Sequence, residues 1–111
     1  MTDARLTIES VTASDTSTLA LSGEIDPQTT DQLDAAIDDA LGSSAHLVLD
    51  LAGVTFIDSA GLRSLIRAHR LTGESSGSLV LRAPRPSTLR VLEITGLTDE
   101  LTIDPPTAPV T

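Results

Sequence analysis

The stretch Phe56-Ile57-Asp58-Ser59-Ala60-Gly61-Leu62 carries more potential chemistry than any other part of this sequence. A carboxylate directly before a serine, at the head of an amphipathic segment, has two uses. Asp58 and Ser59 can simply cap a helix, because short oxygen-bearing side chains accept the amide hydrogens that a first turn leaves free. Alternatively, Ser59 is a phosphate acceptor, since the free amides and dipole of a helix N-terminus favour added negative charge. A phosphate there would bring about −1.5 to −2 of charge beside Asp58, altering an interface more than it unfolds a helix. Ala60 and Gly61 are small enough to let another backbone approach. Asp26 ends its own strand in a similar way. In a parallel sheet, residues just past strand ends share the carboxyl edge, where ligands and partners bind.

The remaining reactive side chains offer less. His46 and His69 have no ligand-like spacing, and the chain has no cysteine. Neither a metal site nor a disulfide framework is therefore expected. Asp50 invites comparison with the phosphoacceptor aspartate of receiver domains, which also needs a lysine, and this sequence contains none. No glycine-rich phosphate loop appears, and no histidine neighbours Ser59 in sequence. No catalytic residue, metal or cofactor is assigned. Arg63, Arg67 and Arg70 recur at helical spacing. They read as a solvated face, with Arg70 well placed at a helix C-terminus, or Arg63 and Arg67 meet acidic residues of a partner.

Charge and composition narrow the partners. The formal net charge is −9, and Phe56 is the one aromatic residue. Nucleic acid and anionic lipid call for a basic footprint, and single strands call for stacking platforms, so neither nucleic acid nor membrane is an expected partner. All 7 basic residues are arginine, and apart from Arg5 they fall between Arg63 and Arg90. The N-terminus lacks the hydrophobic segment of a secretory signal, and no apolar run is long enough for a membrane span. A cytoplasmic location is expected.

The elements that must position these residues follow from periodicity. Arg5–Val11 and Thr18–Ser22 alternate as half-buried strands, joined by a polar turn into a hairpin. Asp26 as N-cap and Pro27 at the first helical position open a helix that buries Leu33, Ala36, Ile37, Ala40 and Leu41, with Gly42 as its stop. His46–Leu51 is a short apolar strand buried on both faces, and Gly53–Ile57 a connecting loop. A second helix runs from Ser59 to about Leu71, buries Leu62, Leu65, Ile66 and His69, and ends at Thr72-Gly73. Ser78–Arg82 is another strand. Ser87 caps a third helix with Leu89, Val91 and Leu92 inward, and Gly96 ends it. Leu101 and Ile103 mark a last edge strand, and residues 104–111 read as a proline-rich disordered tail. With 111 residues the chain supports one core. Alternating strands and helices imply an α/β domain with a mixed, mainly parallel sheet of about five strands and helices packed on it.

Three motifs, in order and correctly spaced, carry a resemblance. Asp58-Ser59-Ala60-Gly61-Leu62 resembles the switch motif of STAS domains of the bacterial anti-sigma factor antagonist type. Leu21-Ser22-Gly23-Glu24-Ile25-Asp26 resembles that family's second-strand motif, and Leu92-Glu93-Ile94-Thr95-Gly96-Leu97 its later helix ending. The likeness spans roughly residues 5–103 of a single STAS domain. It implies a regulator without catalytic activity, acting by partner switching on transcription. The unphosphorylated form binds an anti-sigma factor that is also a serine kinase and so frees the sigma factor. Phosphorylation of Ser59 switches binding off, and a serine phosphatase resets it. ATP and magnesium belong to the kinase, and no cofactor belongs to this domain. Partner contacts map to Asp26, Asp58, Ser59, Ala60, Gly61, Leu62, Arg63 and Arg67. A second reading is a STAS subunit of a transport or signalling complex that docks through the same edge without phosphorylation. Ala60 stands where many relatives carry a second hydroxyl residue, leaving Ser59 as the sole acceptor of the motif. Many relatives also end in a helix where this chain has prolines.

Overall fold

A computed structural model describes residues 5–105. Five strands, β1 (Leu6–Ala13), β2 (Thr16–Ile25), β3 (His46–Ile57), β4 (Ser78–Arg82) and β5 (Thr102–Asp104), alternate after β2 with α1 (Thr30–Leu41), α2 (Ser59–Glu74) and α3 (Pro86–Ile94). The sheet order is β1-β2-β3-β4-β5. β1 runs antiparallel to β2, and every later pair is parallel. This is the mixed, mainly parallel α/β sheet that the alternation implied.

Sequential parallel strands joined by right-handed crossovers place every helix on the same face of the sheet. Burial follows that rule. Leu19 and Leu21 of β2, Leu47, Leu49 and Leu51 of β3, and Leu79 and Leu81 of β4 are buried with Leu33, Ile37, Leu65 and Leu92 of the helices. The alternate residues Thr18, Val48 and Val80, which pair across the three strands, stay half-exposed on the other face. β3 is therefore covered on one face only, and its apolar run alternates in burial. On the uncovered face Arg82 donates to Asp50 at 3.0 Å across the β3–β4 pair.

Several elements extend beyond their sequence-based limits. β3 continues through Gly53–Ile57, which reads in sequence as a loop. Two register shifts, between Ala20 and Ser22 and between Gly23 and Glu24 of β2, let it do so while Val54 and Ile57 still turn inward. α2 continues past Thr72-Gly73 to Glu74. Its buried face is Ala60, Gly61, Ser64, Leu65, Ala68 and Thr72, while Ile66 and His69 are exposed. Small side chains occupy this face because the helix lies close to its neighbours, and Thr72 satisfies its hydroxyl on the Ala68 carbonyl at 3.0 Å.

α1 begins at Thr30 with Thr29 at the cap position, not with Asp26 and Pro27. α3 begins at Pro86 after Arg85, so proline at the first position sets its start and Ser87 lies inside. Gly96 ends α3 with a φ of 78°, and Leu97 after it is buried, as the sequence implied. Asp104 belongs to β5 rather than to a tail, its carbonyl accepting from the Ala83 amide. Residues 106–111 of the expected tail lie outside the described residues.

Candidate functional site

β2 and β3 are parallel, and their last residues, Ile25 and Ile57, are register partners. Asp26 and Asp58 therefore emerge side by side at one edge of the sheet, as the sequence placed them. The Asp58 amide donates back to the Ile25 carbonyl at 3.3 Å, tying the two strand ends together.

Asp58 is the N-cap of α2. Its Oδ1 accepts from the Ala60 amide at 2.9 Å and the Gly61 amide at 3.1 Å. Its carbonyl accepts from the Leu62 amide at 2.9 Å, the first turn of the helix. Two of the orphan amides of α2 are thus satisfied by one side chain, and the same residue's carbonyl takes the first regular helical bond. The sequence expectation of free amides beside a phosphate is narrowed: Asp58 holds those of Ala60 and Gly61, and the Ser59 amide alone in this turn has no partner among the described hydrogen bonds. Ser59 is the first helical residue and is exposed, and none of the described hydrogen bonds uses its hydroxyl.

Gly61 fixes how α2 sits. A Cβ at this position would lie 2.6 Å from Ile57 Cγ1 and 2.8 Å from Ile25 Cγ2. Only a residue without a side chain lets the helix rest on both strand ends, and that contact holds Ser59 at the rim. Ala60 is buried, so the motif's small residues serve the close seat of the helix as well as any visitor. Leu62 is half-buried against the core, and Arg63 is exposed.

Asp26 is wired differently. Its side chain is 9% exposed, and Arg5 forms an ion pair with it. Arg5 also binds Glu24 at 2.9 Å. Asp26 Oδ1 accepts from the Gln28 amide at 2.9 Å. The Thr29 hydroxyl donates to the Glu24 carbonyl at 2.9 Å and accepts from the Asp26 amide at the same distance. Arg5 was not singled out in the sequence. The signal lies in the hairpin register: Leu6 pairs with Gly23, so the preceding residue reaches the end of β2. The Glu24 amide donates to the Arg5 carbonyl at 2.8 Å, an approach allowed because Gly23, at φ 117°, has no Cβ to strike that carbonyl.

Arg67 does not stand free for a partner. It pairs with Asp38 at 2.6 Å and faces Asp34 at 3.6 Å, clamping α2 to α1. Among the described residues Arg63 forms no ion pair, whereas Arg5, Arg67, Arg70 and Arg82 each hold a carboxylate. Beside the site, a shallow groove of about 150 Å³ lies between the end of β3 and α3, lined by Thr55, Phe56, Ile57, Ser87, Thr88 and Val91. No helix among the described residues is long and apolar enough to cross a membrane.

The geometry has counterparts among known proteins. The family model described as "Mlab, STAS domain" matches residues 8–103. The anti-sigma F factor antagonist of Paenibacillus polymyxa is 32% identical over 79 residues, covering 69% of this chain and 68% of that protein. The crystal structure of an anti-sigma factor antagonist from Mycobacterium paratuberculosis superposes with a TM-score of 0.81 at 32% identity, covering 90% of this chain and 86% of that one. The Bacillus cell fate determinant SpoIIAA in its phosphorylated form shares the fold, with a TM-score of 0.70 at 22% identity over 87% of this chain and 90% of that one.

Proposed function

The chain belongs to the STAS domain family, on the branch of the anti-sigma factor antagonists, and from that premise we propose that it is a partner switch operated at Ser59. The observation that carries this reading is an exposed serine hydroxyl at the first position of a helix that the preceding residue, Asp58, already caps. The hydroxyl has no structural duty in the described hydrogen-bond network. Loading it with a charged group spares the fold and alters the rim.

In this reading the unphosphorylated domain docks on an anti-sigma factor serine kinase through the rim of Asp58, Ser59, Leu62 and Arg63, which the buried Asp26, Ala60 and Gly61 hold in place, and the sigma factor is released. Arg67, committed to α1, shapes the rim from behind. The kinase brings ATP into reach of Ser59. The Oγ–phosphorus bond forms, the bond to the departing ADP breaks, and the hydroxyl proton passes to a base of the kinase. A serine phosphatase returns the group to water. The domain itself is a substrate and ligand, not an enzyme, and shares the cytoplasm with its partners. The phosphorylated SpoIIAA structure, with the same fold, supports the idea that this architecture carries such a group.

The magnitude suffices without a change of shape. Each interface hydrogen bond that leaves a buried group stranded costs about 1–3 kcal/mol. Two such losses weaken binding by roughly thirtyfold at the low end of that range and by well over a hundredfold at its middle. The test has two arms. Incubation with the cognate kinase and ATP should add one phosphate, located at Ser59 by mass spectrometry and absent from Ser59→Ala. Ser59→Asp should bind the kinase at least about a hundredfold more weakly than the unmodified domain. Binding as tight as wild type would overturn the mechanism. The second reading is a STAS subunit of a transport or signalling complex that docks through this edge without phosphorylation. Stable assembly with no phosphate transfer would select it.

A further inference from the structure

A phosphoryl group on Ser59 needs a counter-charge, and of the first-turn amides of α2 only that of Ser59 itself is uncommitted. Asp58 holds those of Ala60 and Gly61 through its side chain and that of Leu62 through its carbonyl. The Asp58 carboxylate also repels a second anion, pushing it outward from the helix cap. The nearest cation along the helix is Arg63, four residues on. Residues four apart lie on one helix face, and an acid preceding a base is the favourable order. Helical side chains lean toward the N-terminus, so the long Arg63 side chain leans back toward Ser59. Arg63 is exposed and forms no ion pair among the described residues, whereas Arg67, one turn later, is clamped to Asp34 and Asp38.

We propose that Arg63 is the internal counter-charge of modified Ser59, so that phosphorylation adds negative charge to the docking edge and also withdraws the cation that Arg63 otherwise offers a partner. This rests on the reading of Ser59 as the acceptor. The same arginine then serves both states. In the unmodified domain its guanidinium reaches for an acidic group on the kinase. In the modified domain it binds phosphate oxygens, and a partner meets an anion whose neighbouring cation is already engaged. The switch therefore changes two charges at the interface for one transferred group. The folded-back phosphoester is also the form in which the phosphatase must find it.

The test installs phosphoserine at position 59 during synthesis by an expanded genetic code, so no kinase is needed. Phosphorus NMR then follows the monoanion–dianion titration of that group in wild type and in Arg63→Gln, a change at an exposed helical position whose folding circular dichroism checks. The dianion should be favoured by Arg63, lowering the midpoint by roughly 0.3 pH units relative to Arg63→Gln at low salt. The gap should close in about 1 M salt. Arg70→Gln, at the far end of α2, should leave the midpoint where it is. Equal midpoints with and without Arg63, or an equal shift from Arg70→Gln, would overturn the pairing. Failure of the kinase to modify Ser59 would instead remove the acceptor reading, which this titration does not probe.

Discussion

Two aspartates stand at equivalent places on adjacent parallel strands, and the molecule uses them in opposite ways. Asp26 is closed in. Arg5, the Gln28 amide and the Thr29 hydroxyl surround it, and α1 starts only at Thr30. Asp58 is turned to its own helix. It caps α2 directly, leaving the next side chain, Ser59, exposed at the rim. The difference teaches where a switch can sit. A residue inside a polar knot cannot be modified without breaking the knot. A residue one place past a completed cap can be.

The sharpest way to break the contrast is to lift α2 off the strands. Gly61→Ala puts a methyl group against Ile57 and Ile25 at 2.6 and 2.8 Å, in a core where Ile25 is fully buried. Overpacking of this kind costs about 1–3 kcal/mol, and the upper part of that range is expected because two β-branched side chains must give way together. Urea unfolding should show a lower midpoint with an unchanged slope.

A pair of substitutions sharpens the contrast. Asp26→Ala removes the acceptor of the Gln28 amide and the buried one of the two carboxylates of Arg5, which keeps Glu24, and should cost about 2 kcal/mol. Asp58→Ala removes one cap, and should cost about 1 kcal/mol. Thermal or urea unfolding of the two variants side by side tests the ranking. If Asp58→Ala proves the more damaging, the picture of one locked corner and one presented corner is wrong.

The sequence made this edge legible because its signals were local. Asp58 before a helical period, Asp26 at the end of an alternating strand and Gly96 before Leu97 each announce their role within a few residues. What stayed hidden was set by distant partners. Gly53 and Thr55 break the alternation of β3, so Gly53–Ile57 reads as a loop, yet pairing with Ser22–Ile25 makes it strand. Asp26 has the chemistry of a cap, but Arg5, brought in by the hairpin, claims its carboxylate. In α2 the hydrophobic residues Ile66 and Leu62 suggest one inward face, while the buried one is built from Gly61, Ser64, Leu65, Ala68 and Thr72. A close helix seat needs small residues, and their polarity disguises them. Arg67 looked like a partner-facing cation because Asp34 and Asp38, its actual partners, lie on another helix.

The smallest effect concerns a third aspartate, far from both corners. Asp50 lies on the uncovered face of the sheet. The Ala52 amide, donating at 3.0 Å, holds its carboxyl below the usual carboxylate range, with Arg82 adding to the effect against the opposing pull of partial burial. A folded-state value below the unfolded one means that the unfolded chain takes up the proton more readily. The contribution is therefore present above the ordinary carboxylate range and is lost as pH falls through the lowered value. Since the pair is only partly covered and water screens it, Asp50→Asn should cost only about 0.5 kcal/mol at neutral pH. The wild-type advantage should shrink toward zero in acid, when unfolding is followed at a series of pH values. A difference that stays constant down to the lowest pH would show that Asp50 contributes through packing and not through its charge. Charge would then matter to this domain at its carboxyl edge and not across its open face.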